Sequence, residues 1–165
     1  MNLQDEKLQS AILGDGAEYY VASQIMLNLR MLVSIAPTSA PSWDLEVTHP
    51  ETGNTAKIQV KYRTRRERDS PHLRLRSGVN FDILVLIENP IDTDITFKDN
   101  QLNKRGIKNS TLHDFKVYPA WIVTKEQIEP LIYKSTNIKK GYMVRSFRND
   151  EALFNWDVIS TYLSK

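Results

Sequence analysis

Residues 57–69, KIQVKYRTRRERD, begin with the alternation of a β-strand and end in a run of positive charge. Every second residue from Ile58 to Tyr62 is apolar, which predicts a strand with one buried face and one polar face. The polar face carries Gln59 and Lys61, which project in the same direction because they are two residues apart. This stretch therefore predicts a polar site beside a basic surface.

The residues before this strand predict an antiparallel neighbour. Residues 43–49, WDLEVTH, alternate between apolar and polar side chains, with Asp44 and Glu46 on the polar face. The segment PETGNT that follows has the composition of a hairpin turn. Because a hairpin joins adjacent strands, we expect Asp44 to share a polar face with Gln59 and Lys61.

A helical region precedes the strands. Residues 3–12 form a short helix candidate, the sequence GDG interrupts it, and Asp15 can cap a second helix that extends to about Leu32. Glu18 lies on the apolar stripe of the second helix, where its carboxylate must reach water or find a partner that offsets desolvation. The stripe comprises Ala17, Val21, Ala22, Ile25, Met26, Leu29 and Leu32.

The remaining segments predict further strands and a closing helix. The segment LVSIAP suggests a short first strand, and residues 81–89, FDILVLIEN, are typical of a central strand covered on both faces. Residues 90–114 are polar and predict a long loop. The segments KVYPAWIVT and GYMVRSF are strand candidates around a short helix that Pro130 bends or ends. Asn149 or Asp150 can cap a final amphipathic helix.

This order of elements predicts an α/β or α+β fold with a central mixed sheet flanked by helices. We expect one domain over residues 1–165, with a motif core at about 14–90 and C-terminal strands and a helix at about 115–165. The chain has no cysteine, which excludes disulfides and thiolate metal sites. No segment has the roughly 20 apolar residues of a membrane span, and the N-terminus does not resemble a signal peptide. We therefore expect a cytoplasmic protein with no membrane partner.

Positive charge is concentrated in one segment, although the net charge is only +2. Residues 1–56 carry two bases and seven acids, whereas residues 57–76 carry eight bases and two acids. The second segment ends in LRLR, which suits either an edge strand or an irregular basic loop. A basic segment beside an acidic one suggests a polyanion partner next to a cation site, and a solvated arginine-rich loop is the alternative.

Glu18, Asp44, Gln59 and Lys61 are the candidates for a single chemical site. Carboxylate and neutral oxygens can hold a hard cation such as Mg²⁺, which retains waters and takes phosphate oxygens. A lysine beside the ion can orient or help deprotonate a water and stabilise the charge that develops on phosphorus. The basic residues just downstream could hold a phosphate backbone.

The segments GDGAEYYVASQIMLNLR, SWDLEV and KIQVKYR resemble the PD-(D/E)xK nuclease superfamily over roughly residues 14–63. The variant is Q-x-K, similar to that of small bacterial nucleases and homing endonucleases. The resemblance implies a restriction-endonuclease-like core in which Glu18 is the helix acid and Asp44 the metal-bridging aspartate. It further implies that Gln59 takes the place of the second acid and Lys61 that of the catalytic lysine.

Two further positions follow from the same resemblance. The backbone carbonyl of Val60 would also face the metal, and Trp43 stands at a freely varying position where the family name has Pro. Gln59 can ligate through its amide oxygen but removes one negative charge. The metal affinity should therefore be lower than with an acid, unless Glu18 compensates.

The function that the resemblance implies is a Mg²⁺-dependent DNA endonuclease, with Mn²⁺ as a substitute, that hydrolyses phosphodiester bonds as a homodimer or tetramer. One alternative is a catalytically inactive nucleic-acid-binding or assembly module with the same fold, which Gln59 favours. A globular interaction protein without a nucleic-acid role is the third possibility. The arginines expected to contact DNA phosphates are Arg63, Arg65, Arg66, Arg68, Arg74 and Arg76.

Overall fold

The protein has an α+β architecture in a computed structural model that describes residues 3–37, 42–64, 73–75, 80–88, 118–133 and 142–165. Within these ranges the helices are α1 (Leu3–Gln24), α2 (Lys125–Ile128) and α3 (Asp157–Leu163). The strands are β1 (Leu32–Ile35), β2 (Leu45–Thr48), β3 (Thr55–Arg63), β4 (Leu73–Leu75), β5 (Ile83–Glu88), β6 (Ala120–Thr124), β7 (Ile132–Tyr133) and β8 (Tyr142–Val144).

Five of the strands form a mixed sheet in the order β1-β2-β3-β5-β6. β3 and β5 are parallel, whereas the other neighbouring pairs are antiparallel. The predicted hairpin is confirmed, since Leu45 pairs with Ile58 and Thr48 with Thr55. Gly53 has a φ of 74° in the connecting turn, a conformation that glycine adopts without steric cost. The predicted central strand is also confirmed, because every residue of β5 is buried.

The three remaining strands form a second antiparallel sheet in the order β4-β8-β7. The segment LRLR therefore contributes a strand, with Leu73 and Leu75 buried and Arg74 exposed. Leu73 pairs with Val144 of β8. The side chains of Leu73, Leu75 and Val144 belong to the same hydrophobic cluster as the main sheet. Burial of two leucines explains why this short basic stretch adopts a strand conformation.

The prediction of two helices separated by GDG is wrong, because α1 continues through both glycines. A Cβ placed at Gly14 or Gly16 would have nothing within 4 Å. A helical glycine costs about 1 kcal/mol relative to alanine, and this cost does not by itself end a helix. A π-helical turn, Ile25–Leu29, follows α1 and ends at Arg30, whose φ is 58°.

The apolar stripe of α1 is narrower than its sequence pattern suggests. Ala17, Val21, Ala22 and Ile25 are buried, as expected, and α1 packs on β3. Met26 and Leu32 are 52% and 60% exposed, so their assignment to the buried stripe is wrong. The helix changes to π-helical geometry at Ile25 and ends before Leu32. The 3.6-residue spacing of an α-helix, which predicted the stripe, therefore does not continue to these residues.

The final helix begins at Asp157, so the predicted start at Asn149 or Asp150 is wrong. Asn149 instead caps a turn, with its Oδ1 accepting from the N–H of Ala152 at 2.8 Å. The next residues bond to β6, since the N–H of Phe154 donates to the carbonyl of Ala120 at 2.7 Å. Hydrogen bonds to the sheet hold these residues in a non-helical conformation.

Two other expectations concern the second half of the chain. Pro130 lies in a 3₁₀ turn, Glu129–Leu131, that directly follows α2, which confirms that the short helix ends near this proline. The long loop predicted at residues 90–114 lies outside the described residues. Among the described helices, none has both the length and the apolar character needed to cross a bilayer.

Candidate active site

The end of the β2–β3 hairpin positions Asp44. The last ladder pair is Leu45 with Ile58, and the N–H of Asp44 donates to the carbonyl of Ile58 at 2.8 Å just beyond it. The preceding residues are anchored as well, since Ser42 Oγ accepts from the N–H of Asn80 at 2.9 Å. These hydrogen bonds hold the Asp44 backbone at the point where β2 begins.

The side-chain carboxylate of Asp44 accepts hydrogen bonds from β3, just beyond the last backbone pair of the β2–β3 hairpin. Its Oδ2 accepts from the backbone N–H of Val60 at 2.7 Å and from the side-chain Nε2 of Gln59. Gln59 Nε2 also donates to the carbonyl of Val60 at 3.2 Å. Three oxygen-bearing groups, the Asp44 carboxylate, the Gln59 amide and the Val60 carbonyl, are thus gathered at one place.

Trp43, the residue before Asp44, contacts Lys57 of β3 beside this group. The ammonium of Lys57 lies 5.4 Å from the centroid of the Trp43 ring, within the range of a cation–π contact. Trp43 packs against the hydrophobic core. Trp43 therefore helps to fix the chain next to Asp44.

Helix α1 brings Glu18 into electrostatic range of the same group. Partial burial, followed by the carboxylates of Asp44 and Asp15, raises the pKa of Glu18 to about 7, against the opposing effect of the Lys61 ammonium. Glu18 is thus close enough to both Asp44 and Lys61 for their charges to affect its protonation. Burial is the largest cause of the rise, and the two neighbouring carboxylates add to it.

The four residues predicted as catalytic are therefore brought together from three parts of the chain: α1, the residue before β2, and β3. The Val60 carbonyl is at the same place. Gln59 is 7% exposed, whereas Lys61 is half-buried. Alternation along β3 puts both side chains on one face, as expected.

The predicted DNA-contacting arginines are only partly described. Arg63 is half-buried at the end of β3, two residues beyond Lys61 and on the same face. Arg74 is exposed on β4 of the second sheet. The other four positions lie outside the described residues: Arg65, Arg66, Arg68 and Arg76.

The donor set fits a hard divalent cation. The groups are the carboxylates of Asp44 and Glu18, the carbonyl of Val60 and the amide oxygen of Gln59, all of which are oxygen donors of the kind that Mg²⁺ prefers. In the described part of the chain, no three His, Cys, Asp or Glu side chains gather in an arrangement suited to a metal.

Two features of this region were missed by sequence reasoning. Asp15, read only as a helix cap, lies one turn before Glu18 and contributes to its raised pKa. Glu88, in register with Arg63, is 1% exposed, and its Oε1 pairs with Arg148 Nη1 at 2.8 Å. Its Oε2 is buried with no hydrogen-bond partner among the described residues. The sequence did offer a signal for Glu88, because it is the one acid at the end of an otherwise apolar strand, β5.

No protein-family model matches this chain, and comparison with curated proteins gives no significant match.

Proposed function

We propose that this protein is a metal-dependent endonuclease that hydrolyses phosphodiester bonds in DNA, with a restriction-endonuclease-like core. The observation that carries the proposal is the convergence of Glu18, Asp44, Gln59 and Lys61 where β2 begins beside β3. A helix acid, a strand aspartate and a Gln-x-Lys strand are the elements on which the resemblance to PD-(D/E)xK nucleases rests.

The metal would be held by Asp44, Glu18, the Val60 carbonyl and the amide oxygen of Gln59. Mg²⁺, or Mn²⁺ in its place, would supply Lewis-acid activation of the phosphate and of an attacking water. The backbone N–H of Val60 holds the Asp44 carboxylate in a fixed orientation at 2.7 Å. Preorganised ligands of this kind lower the cost of assembling a charged site.

Lys61 would act on the attacking water and on the phosphate. It lies two residues from Gln59 on the same face of β3, and its positive charge acts on Glu18. In this position an ammonium group can orient a water and stabilise the negative charge that develops on a phosphoryl oxygen. Arg63, one further alternate position along β3, would extend this positive surface towards the DNA backbone.

The proposed partners are DNA and a second copy of the chain. Residues 57–76 carry eight bases and two acids, a local excess that suits a phosphate backbone. Cleavage of both strands of a duplex requires two hydrolytic events, which a homo-oligomer with two sites can perform. The oligomer would be a dimer or a tetramer.

The test is cleavage of supercoiled and branched DNA by purified protein with Mg²⁺ or Mn²⁺. We expect nicking or cutting by the wild-type protein and loss of this activity in Lys61→Ala. Lys7→Ala is the control, because Lys7 is an exposed lysine on α1, eleven residues before Glu18. If the wild type cuts nothing that Lys61→Ala leaves intact, the nuclease proposal is refuted.

A second candidate, a non-catalytic nucleic-acid-binding or assembly module, is favoured by the contacts of Gln59. Its amide nitrogen bonds to both Asp44 and the Val60 carbonyl, so these oxygens have a donor without any metal. Such a module should bind DNA equally well in EDTA and in Mg²⁺. Binding that strengthens with Mg²⁺ and is lost in Asp44→Asn would favour the enzyme instead.

A further inference from the structure

The amide nitrogen of Gln59 occupies the position between two oxygens of the proposed metal site. It donates to Asp44 Oδ2 and to the carbonyl of Val60, the latter at 3.2 Å. The Asp44 oxygen also accepts from the N–H of Val60 at 2.7 Å. Gln59 is 7% exposed, so its amide has little access to water as an alternative partner.

A glutamine side chain ends in a donor on one side and an acceptor on the other. With Nε2 towards Asp44 and Val60, the amide satisfies both acceptors. With Oε1 turned the same way, three oxygens would face one another in a buried place, which is unfavourable without a positive charge. A divalent cation among them would reverse this preference, since all three oxygens are suitable ligands.

We propose that Gln59 determines the metal affinity of this site by substituting for the cation when no metal is bound. Metal binding then requires the amide to turn about its terminal bond, so that Oε1 replaces Nε2 towards Asp44 and the Val60 carbonyl. The inference rests on the proposed metal-dependent function and adds a molecular reason for weak metal binding. A glutamate at the same position could not play this role when ionised, because it has no proton to donate.

Two substitutions separate the donor role of Gln59 from its ligand role. Gln59→Glu keeps an oxygen ligand and removes the donor, whereas Gln59→Met removes both at similar size. Without metal, at pH 8, we expect both variants to have a lower midpoint of thermal unfolding than the wild type. The Glu variant should be lowest, since it places a second carboxylate beside Asp44.

With Mn²⁺, titration calorimetry should give the Glu variant the highest affinity. Gln59→Glu should bind the ion at least tenfold more tightly than the wild type, and Gln59→Met should bind it more weakly than either. The inference is overturned if Gln59→Glu binds Mn²⁺ no more tightly than the wild type, or if Gln59→Met unfolds at the wild-type temperature without metal.

The turn of the amide can be observed directly by ¹⁵N NMR of the side-chain NH₂ group. Its resonances are identified by their loss in Gln59→Met, and those of Gln127, on α2, serve as the internal control. We expect Mg²⁺ to move the Gln59 resonances and to speed their exchange with water, while those of Gln127 stay unchanged. Mg²⁺ saturation that leaves the Gln59 resonances in place overturns the inference and leaves the metal site standing.

Failure of the proposed function has a different signature. If neither the wild type nor Gln59→Glu binds Mn²⁺ or Mg²⁺, the metal site itself is refuted, and the inference falls with it. Binding in both proteins without DNA cleavage would refute the nuclease activity but support the role of Gln59.

Discussion

Glu88, at the end of β5, and Asp44, just before β2, are acids at the main sheet with different hydrogen-bond partners. Glu88 is 1% exposed and pairs with the guanidinium of Arg148 at 2.8 Å. Asp44 accepts from an amide and a backbone N–H, and the pKa of Glu18 beside it is raised to about 7. At the first place a guanidinium is bonded to the acid, whereas at the second, burial and then the neighbouring carboxylates disfavour ionisation of Glu18 against the opposing charge of Lys61.

This difference indicates which acids serve the fold and which serve chemistry. A buried carboxylate that is bonded to an arginine is already neutralised and has little to gain from a metal ion. Carboxylates such as those of Asp44 and Glu18, where burial and the neighbouring acid raise the Glu18 pKa, would gain from one. We therefore expect the Glu88–Arg148 pair to serve stability and the Asp44 group to hold the proposed cation.

The largest expected effect follows from Asp44→Asn. It removes the charge that would hold the proposed cation but keeps an oxygen that can accept from Val60. We expect DNA cleavage to fall by about 10³-fold, equivalent to about 4 kcal/mol, while the free energy of unfolding changes by less than about 1 kcal/mol. Single-turnover cleavage and urea unfolding measure the two quantities. Glu46→Gln, on the adjacent strand β2, is the control and should leave cleavage near the wild-type rate.

The next largest effect concerns the Glu88–Arg148 pair. Arg148→Ala leaves the buried Glu88 carboxylate without its counter-ion, so the free energy of unfolding should fall by about 3 kcal/mol, measured by urea denaturation. The loss should be the same with and without Mg²⁺. Adding Glu88→Gln to this variant should restore part of the stability, because it removes the buried charge. A loss that Mg²⁺ reverses would show that Glu88 also belongs to the cation site.

A smaller effect is the pH dependence that Glu18 confers on the metal-free protein. Its raised pKa means that, between pH 4.5 and about 7, the folded state binds more protons than the unfolded state. Stability from this group therefore falls as the pH rises through that window, and the full penalty is present above it. Glu18→Gln should raise the unfolding midpoint relative to the wild type more at pH 8 than at pH 5.

Carboxyl ¹³C NMR provides an independent readout for Glu18. Its titration midpoint should lie near 7 without metal and move down when Mg²⁺ is added, because a nearby cation favours the carboxylate. A midpoint near 4.5 in the metal-free protein would contradict the combined effect of burial and of the neighbouring carboxylates on Glu18.

The smallest effects are those of single arginines on DNA binding. Arg63→Gln and Arg74→Gln should each weaken binding modestly and reduce the slope of log K against log salt by about 1. Lys165→Gln is the control, because it changes one exposed charge at the C-terminus. If only Arg63→Gln changes the slope, the DNA path follows β3 and does not reach β4.

Much of the local structure could be predicted from the chain because its signals are short in range. Alternation predicted β2 and β3, the turn residues predicted their hairpin, and the apolar run predicted a buried β5. The same rules failed at Gly14 and Gly16, where helical hydrogen bonding continues through weak helix formers. They failed again near Phe154, whose backbone bonds to β6, a partner that sequence neighbours do not reveal.

In the candidate site too, features set by near neighbours were predictable and those set by packing were not. Gln59 and Lys61 share a face because of the two-residue period of a strand, and the hairpin brings Asp44 beside them. The apolar stripe alone did not determine the surroundings of Glu18, since it equally allows an acid that reaches water at its edge. Its raised pKa, caused first by burial and then by Asp44, depends on how α1 packs against the sheet.

The sequence by itself determined the β2–β3 hairpin and the polar side chains on one face of it, because alternation and turn chemistry act between near neighbours. Only the tertiary structure decided the parallel pairing of β3 with β5, the charge around Glu18 and the Glu88–Arg148 pair. It also decided which end of the Gln59 amide faces Asp44. These features depend on desolvation and on contacts between distant segments, and both exist only once the chain has packed.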